Sequence, residues 1–176
     1  MTERFSSAAL GLVCIVGAGP GPLDCMTVHA LNRLRNAAVV VHNRLDSTEV
    51  SDQILPQARR VHVGKAFGDR AVPQHGLHAL LLAHTRIDSR VVRLKGGDSY
   101  VLGRGGEEVQ ALRAQGIAFE VVPGVTAASG WSAAAGIPLT HRNLAGSCVF
   151  LPGHLANDDA THGWRALTRP GQTRVL

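Results

Sequence analysis

The sequence predicts an α/β fold built on a parallel sheet, and three features carry that expectation. Apolar runs of strand length alternate with stretches of helical period. Several of these runs are apolar at consecutive rather than alternate positions, which is the pattern of strands covered on both faces. Three of them, ending near residues 16, 94 and 122, lead straight into glycine-bearing loops. Right-handed crossovers gather such loops at the carboxyl edge of the sheet, where open α/β sheets bind ligands.

The elements follow in order. Leu12-Val13-Cys14-Ile15-Val16 reads as a buried strand ending in Gly17-Ala18-Gly19-Pro20-Gly21, and Leu23, Met26, Leu31 and Leu34 then mark a helix. Ala38 to His42 is a second strand, Val61-His62-Val63 a short third and Arg90 to Leu94 a fourth. Helices are expected at about 47–59 and 74–87, the second following Pro73 and carrying Gly76 at a cost of about 1 kcal/mol. A helix at about 105–115 has Glu107 and Glu108 in its first turn, where acids favour the helix dipole. The strand Phe119 to Val122 and an alanine-rich helix from near Thr126 complete the alternation.

Ile137-Pro138-Leu139-Thr140-His141-Arg142 interrupts the pattern, so residues 137–146 are expected to link an N-terminal domain of 11–136 to a second domain starting at 147. Residues 153–169 read as loop, and Thr173 to Leu176 as a strand that is only beginning. The expectation is a chain truncated within its second domain. Residues 1–10 read as a disordered leader and lack the apolar core of a signal peptide, which places the protein in the cytoplasm.

Composition narrows the chemistry. No run is apolar enough for a membrane span. Cys14, Cys25 and Cys148 are scattered and odd in number, and none of the nine histidines pairs at metal-ligand spacing, so neither a disulfide framework nor a metal site is expected. A net charge of +5 suits an anionic partner, while an aromatic content of 4% leaves little for base stacking and argues against nucleic acid.

The densest signal lies in Lys95-Gly96-Gly97-Asp98-Ser99-Tyr100-Val101-Leu102-Gly103-Arg104-Gly105-Gly106-Glu107-Glu108, where five of the eleven residues 96–106 are glycine. Glycine lets backbone approach a ligand closely, and Asp98 adds an acceptor at the strand's carboxyl end. Known phosphate motifs do not fit. Pro22 stands where the dinucleotide fingerprint needs glycine, Gly64-Lys65 lacks the rest of a P-loop, and no Gly-x-Ser-x-Gly elbow occurs.

Taken together, Gly17-Ala18-Gly19-Pro20-Gly21, Val63-Gly64-Lys65, Val72-Pro73-Gln74, Val92 to Asp98, Gly103 to Glu108, Val122-Pro123-Gly124-Val125-Thr126-Ala127-Ala128-Ser129-Gly130 and Gly136 to Arg142 resemble the uroporphyrinogen-III C-methyltransferases of the tetrapyrrole methylase family, in order over residues 11–176. The resemblance implies a homodimer of two-domain α/β subunits. It also implies transfer of two methyl groups from S-adenosyl-L-methionine to ring carbons of uroporphyrinogen III, giving precorrin-2 for sirohaem and cobalamin. Carried over by position, donor contacts fall on Pro20, Gly96, Gly97, Asp98, Val101, Thr126 and Ala127, and the catalytic lysine on Lys65.

The residues agree with that chemistry. A sulfonium donor needs no phosphate cradle, and a substrate with eight carboxylates suits Arg44, Lys65, Arg104 and Arg142. Methyl transfer to a pyrrole carbon rests on alignment, after which a base takes a ring proton. The family's carboxylate for that step lies in a Tyr-Asp-Arg sequence, and here His42-Asn43-Arg44 stands in its place. Asn43 cannot act as a base; Asp46 is the nearest carboxylate. Ser99 replaces the proline that usually follows Gly-Gly-Asp, which is expected to loosen the donor loop, and Pro22 replaces an acidic residue. The alternative reading is an inactive fragment that retains tetrapyrrole binding or dimerisation.

Overall fold

A strand that is apolar at every position needs cover on both faces, and β1 (Leu12–Gly17) shows the consequence. Cys14 and Val16 pack with Ala30, Leu34, Val50 and Ile54 on one side of the sheet, while Val13 and Ile15 pack with Leu81, Val109 and Leu112 on the other. The result is a three-layer αβα arrangement. In this computed structural model, residues 11–43, 47–64, 74–85, 90–152 and 170–175 are described.

The elements after β1 are a 3-10 turn (Leu23–Cys25), α1 (Val28–Arg35), β2 (Val39–His42), α2 (Thr48–Asp52), β3 (Arg59–His62), α3 (Gln74–Thr85), β4 (Arg90–Lys95), α4 (Gly105–Ala114), β5 (Phe119–Val122), α5 (Ala127–Ala135), β6 (Ser147–Phe150) and β7 (Gln172–Val175). The first five strands form one sheet in the order β3-β2-β4-β1-β5, every pair parallel. β1 and β4 are therefore central, with Leu12 opposite Arg90 and Gly17 opposite Lys95. The predicted parallel α/β sheet is present.

Local chemistry sets the ends of these elements. Thr27 caps α1 by accepting from Ala30 N–H at 3.1 Å, and its hydroxyl donates to the Pro123 carbonyl at 3.2 Å, tying the helix start to the loop after β5. Ser47 caps α2 in the same way through Val50 N–H. The expected helix at 47–59 is much shorter than its apolar pattern suggested. Pro56 disfavours helical backbone at Leu55, and the chain is already running as β3 from Arg59.

The chain forms two compact units, Met1–Ala127 and Ala128–Leu176. In the second, β6 and β7 pair in parallel, Ser147 opposite Gln172. Gly146 N–H donates to the Gly171 carbonyl at 2.9 Å, and Leu151 N–H to that of Val175 at 2.8 Å. Among the described residues no helix is long and apolar enough to cross a membrane, and no group of three His, Cys, Asp or Glu side chains could hold a metal ion. The three cysteines are free. The predicted leader (1–10) and the loop at 153–169 lie outside the described residues.

The carboxyl ends of β1, β4 and β5 meet through glycines. A Cβ on Gly17 would lie 2.6 Å from the Gly97 carbonyl oxygen and 2.7 Å from Gly124 N, both backbone atoms that cannot swing aside. Gly17→Ala is therefore expected to cost about 1–3 kcal/mol of stability, the usual range for overpacking. Gly106→Ala, at an exposed position with nothing within 4 Å, should be neutral or slightly stabilising. Thermal unfolding of the two variants checks this, and equal melting temperatures would contradict the close approach.

Candidate functional site

Three loops form the carboxyl edge of the central strands, and backbone hydrogen bonds join them. Gly97 N–H donates to the Gly19 carbonyl at 2.7 Å and Gly19 N–H to that of Gly97 at 3.2 Å, an isolated antiparallel bridge between the first two loops. Both glycines have positive φ, +80° at Gly19 and +63° at Gly97. A side chain at Gly19 would also lie 2.7 Å from the Cys25 carbonyl oxygen, so this position needs glycine twice over.

Asp98 joins the third loop. One carboxylate oxygen accepts from Tyr100 N–H at 2.8 Å and closes a local turn, and the other accepts from Gly124 N–H at 3.0 Å across to the end of β5. The sequence suggested Asp98 as a ligand acceptor; in the fold both of its oxygens already hold backbone. Beyond it the chain winds tightly. Leu102 and Arg104 take φ of 53° and 58°, uncommon for residues with side chains, and a Cβ on Gly103 would lie 2.9 Å from the Asp98 carbonyl oxygen. Ser99 is buried, and its carbonyl accepts from Gly105 N–H at 2.9 Å, pinning the loop to the start of α4. Arg104, exposed at that start, forms a bidentate pair with Glu107 at 2.9 and 2.6 Å.

Below the edge, on the α3/α4 face, lies a charged cluster that sequence reasoning missed. Glu108 of α4 is 1% exposed, and its Oε1 accepts from Lys95 Nζ at 2.8 Å and from Arg93 Nε at 3.2 Å. Arg93, 3% exposed, also donates through Nη1 to the carbonyls of Val41 and Leu94 and through Nη2 to Asn43 Oδ1 at 2.9 Å. Burial pushes the pKa of both Arg93 and Lys95 down, while the Glu108 carboxylate acts in the opposite direction. The signal was available. Glu108 shares a helical face with the buried Gly105, Val109 and Leu112, and Arg93 lies between Val92 and Leu94, both buried.

At the end of β2, His42 Nδ1 donates to the Asn43 carbonyl at 2.6 Å, and its ring meets that of His62 edge-on at 5.6 Å. Burial first, then the nearby His62, Arg60 and Arg93, hold its pKa below the usual histidine value despite that hydrogen bond. Neutral His42 therefore carries its proton on Nδ1 and leaves Nε2 as an acceptor.

Of the residues singled out in the sequence, Gly96, Gly97, Asp98 and Val101 lie on the β4 loop, Pro20 adjoins Gly19 on the β1 loop, and Thr126 and Ala127 follow Gly124 after β5. The bridge and the Asp98 carboxylate bring these three segments to one edge. Asn43 stands one strand over, at the end of β2 and tied to β4 through Arg93. Lys65, Arg44 and Asp46 lie outside the described residues.

Comparison with known proteins gives this edge its relatives. The family described as Tetrapyrrole (Corrin/Porphyrin) Methylases matches residues 12–176. The chain belongs to the tetrapyrrole methylase family. It is 49% identical over 166 residues to the siroheme synthase of Tolumonas auensis, an alignment covering 94% of this chain and 36% of that protein. A crystal structure of uroporphyrin-III C-methyltransferase from Thermus thermophilus superposes with a TM-score of 0.70 at 47% identity, over 80% of this chain and 59% of that one. The Thermus thermophilus enzyme complexed with S-adenyl homocysteine gives a TM-score of 0.66 at 45% identity, with the same coverage. This tetrapyrrole methylase chain thus spans little more than a third of the curated relative's length.

The Asp98 tether gives a prediction that concerns this chain alone. Asp98→Ala leaves Gly124 N–H without its acceptor, which should lower stability by about 1–3 kcal/mol. Hydrogen exchange at Gly124 should accelerate by about ten-fold or more, as the released amide opens locally. Unaltered exchange at Gly124 would show that the carboxylate does not hold the third loop.

Proposed function

We propose that this chain is the N-terminal part of an S-adenosylmethionine-dependent C-methyltransferase that converts uroporphyrinogen III to precorrin-2 for sirohaem and cobalamin synthesis. The observation that carries this reading is the joining of three glycine loops at one sheet edge, in a chain 45–49% identical to a siroheme synthase and a uroporphyrin-III C-methyltransferase. The edge fits such a donor. A Cβ at Gly96 would have nothing within 4 Å, so the exposed backbone there is open to a ligand, whereas Gly17 and Gly124 leave no room for side chains behind it.

Pro20, Gly96, Gly97, Asp98, Val101, Thr126 and Ala127 would hold the donor, mostly through backbone and small side chains. When bound, S-adenosylmethionine supplies an electrophilic methyl group. Asp98 holds the loops in register, and the exposed guanidinium of Arg104, whose pair with Glu107 is a surface pair of small energy, is free to exchange that partner for a substrate carboxylate. Lys65 is the catalytic lysine in this reading. Asn43 cannot accept the ring proton, so the acceptor is another group. The same reading makes the protein a cytoplasmic homodimer in which 137–146 links to a second domain beginning at 147. A catalytically silent tetrapyrrole-binding protein is the second reading, and Asn43 is the residue that favours it.

Calorimetry with S-adenosylhomocysteine tests the donor assignment, with saturable binding expected and Asp98→Ala weakening it about ten-fold or more. No binding by the wild-type chain would sink it. Anaerobic incubation with uroporphyrinogen III and methyl-labelled donor then separates the two readings. Label in the tetrapyrrole, abolished by Lys65→Ala, marks an enzyme; donor binding without transfer marks the silent binder.

A further inference from the structure

Position 43, where the resemblance calls for a carboxylate, does different chemistry in this chain, and its hydrogen-bond geometry says which. We propose that Asn43 is an anchoring N–H donor for a carboxylate of the substrate, held in that orientation by the buried Arg93. The inference rests on the function proposed above and names one contact of that site.

An amide can turn either end inward, but a guanidinium has only donors. The contact of 2.9 Å from Arg93 Nη2 therefore takes Asn43 Oδ1 and excludes Nδ2. Arg93 cannot turn away to relax this choice. It is 3% exposed, with Nε on Glu108 and Nη1 on the carbonyls of Val41 and Leu94. Flipping the amide would set N–H against N–H beside a buried cation. The planar side chain thus aims Nδ2 and its two protons away from Arg93, and Asn43 is an exposed residue at the carboxyl edge of the sheet. Among the described residues Nδ2 has no partner.

Charge points the same way. Arg93 and Lys95 share the single carboxylate of Glu108, and Asn43 adds no negative charge. The cluster beneath the amide is left with an excess of positive charge at low exposure, where screening is weak. Such a place favours an anion on its open side. An aspartate at 43 would pair with Arg93 and neutralise that excess, and its outer oxygen would repel a carboxylate. The exchange of one oxygen for one nitrogen therefore converts a proton acceptor into an anion anchor.

Asn43→Asp is the informative variant, because it keeps and strengthens the Arg93 contact while reversing the outward group. The probe is uroporphyrin III, the stable oxidised octacarboxylate, followed by its fluorescence on titration with the wild-type chain, Asn43→Asp and Asn43→Ala. Binding is expected to weaken roughly ten-fold or more in Asn43→Asp, and less in Asn43→Ala, as loss of a charge-assisted hydrogen bond implies. The melting temperature of Asn43→Asp should equal or exceed that of wild type, and S-adenosylhomocysteine should bind all three alike. If Asn43→Asp binds uroporphyrin III as tightly as wild type does, the inference is overturned while the methyltransferase reading stands. If the wild-type chain binds S-adenosylhomocysteine but not uroporphyrin III, the inference and the proposed substrate fall together and the donor site remains.

Discussion

Everything at the carboxyl edge depends on how closely three pieces of backbone approach one another. Gly17, Gly97 and Gly124 end or follow β1, β4 and β5, and the space a Cβ would need at Gly17 is already filled by the carbonyl of Gly97 and the amide of Gly124. That contact lets Gly19 and Gly97 exchange two hydrogen bonds and lets Asp98 reach Gly124. Separate the strands by one methyl group and both links lengthen together. The loops are therefore one unit, and the glycines serve the protein's own packing before they serve any ligand.

A second constraint lies directly beneath that unit. Burying Glu108 between Arg93 and Lys95 costs desolvation on three groups, and such clusters seldom gain much net stability over apolar packing. What this one does is define position. Arg93 spans from β4 to the Val41 carbonyl and the Asn43 side chain of β2, so the ends of two neighbouring strands are registered by one guanidinium. Lys95 leads directly into the glycine loop, and its carbonyl accepts from Ala18 N–H at 2.7 Å. The charged layer and the glycine layer thus share the same residues of β4.

Periodicity made most of the fold legible, because strand alternation, helix caps and glycine turns are local signals. The parallel sheet followed from the order of those elements. α2 was the exception, since apolar spacing alone continued a helix past the point where Leu55-Pro56 and the pairing of β3 with β2 redirect the chain. The site was legible as a set of loops but not as a set of roles. The bond that ties Asp98 to Gly124 spans 26 residues and the one that ties Asn43 to Arg93 spans 50. Long-range hydrogen bonds of this kind leave no spacing to read. Glu108 could have been found: a charged residue in the buried phase of an amphipathic helix asks for a buried cation, and β4 offers two.

These layers divide the chemistry in a way that follows from what each can supply. Backbone approaching without side chains gives shape and neutral hydrogen bonds, which suit a ligand carrying its own reactive methyl group. Among the described residues, the charged layer one strand over and one layer down reaches the edge through Asn43 and Lys95, and Asp98 and the exposed Arg104 stand on the glycine loop itself. Because Arg93 is buried and held by four hydrogen bonds, the identity of residue 43 decides whether that position offers an acceptor or a donor beside β4. With asparagine there, that position presents N–H groups where an aspartate would present a lone pair, while Nε2 of neutral His42, one residue before it on β2, keeps a lone pair at the same end of the sheet.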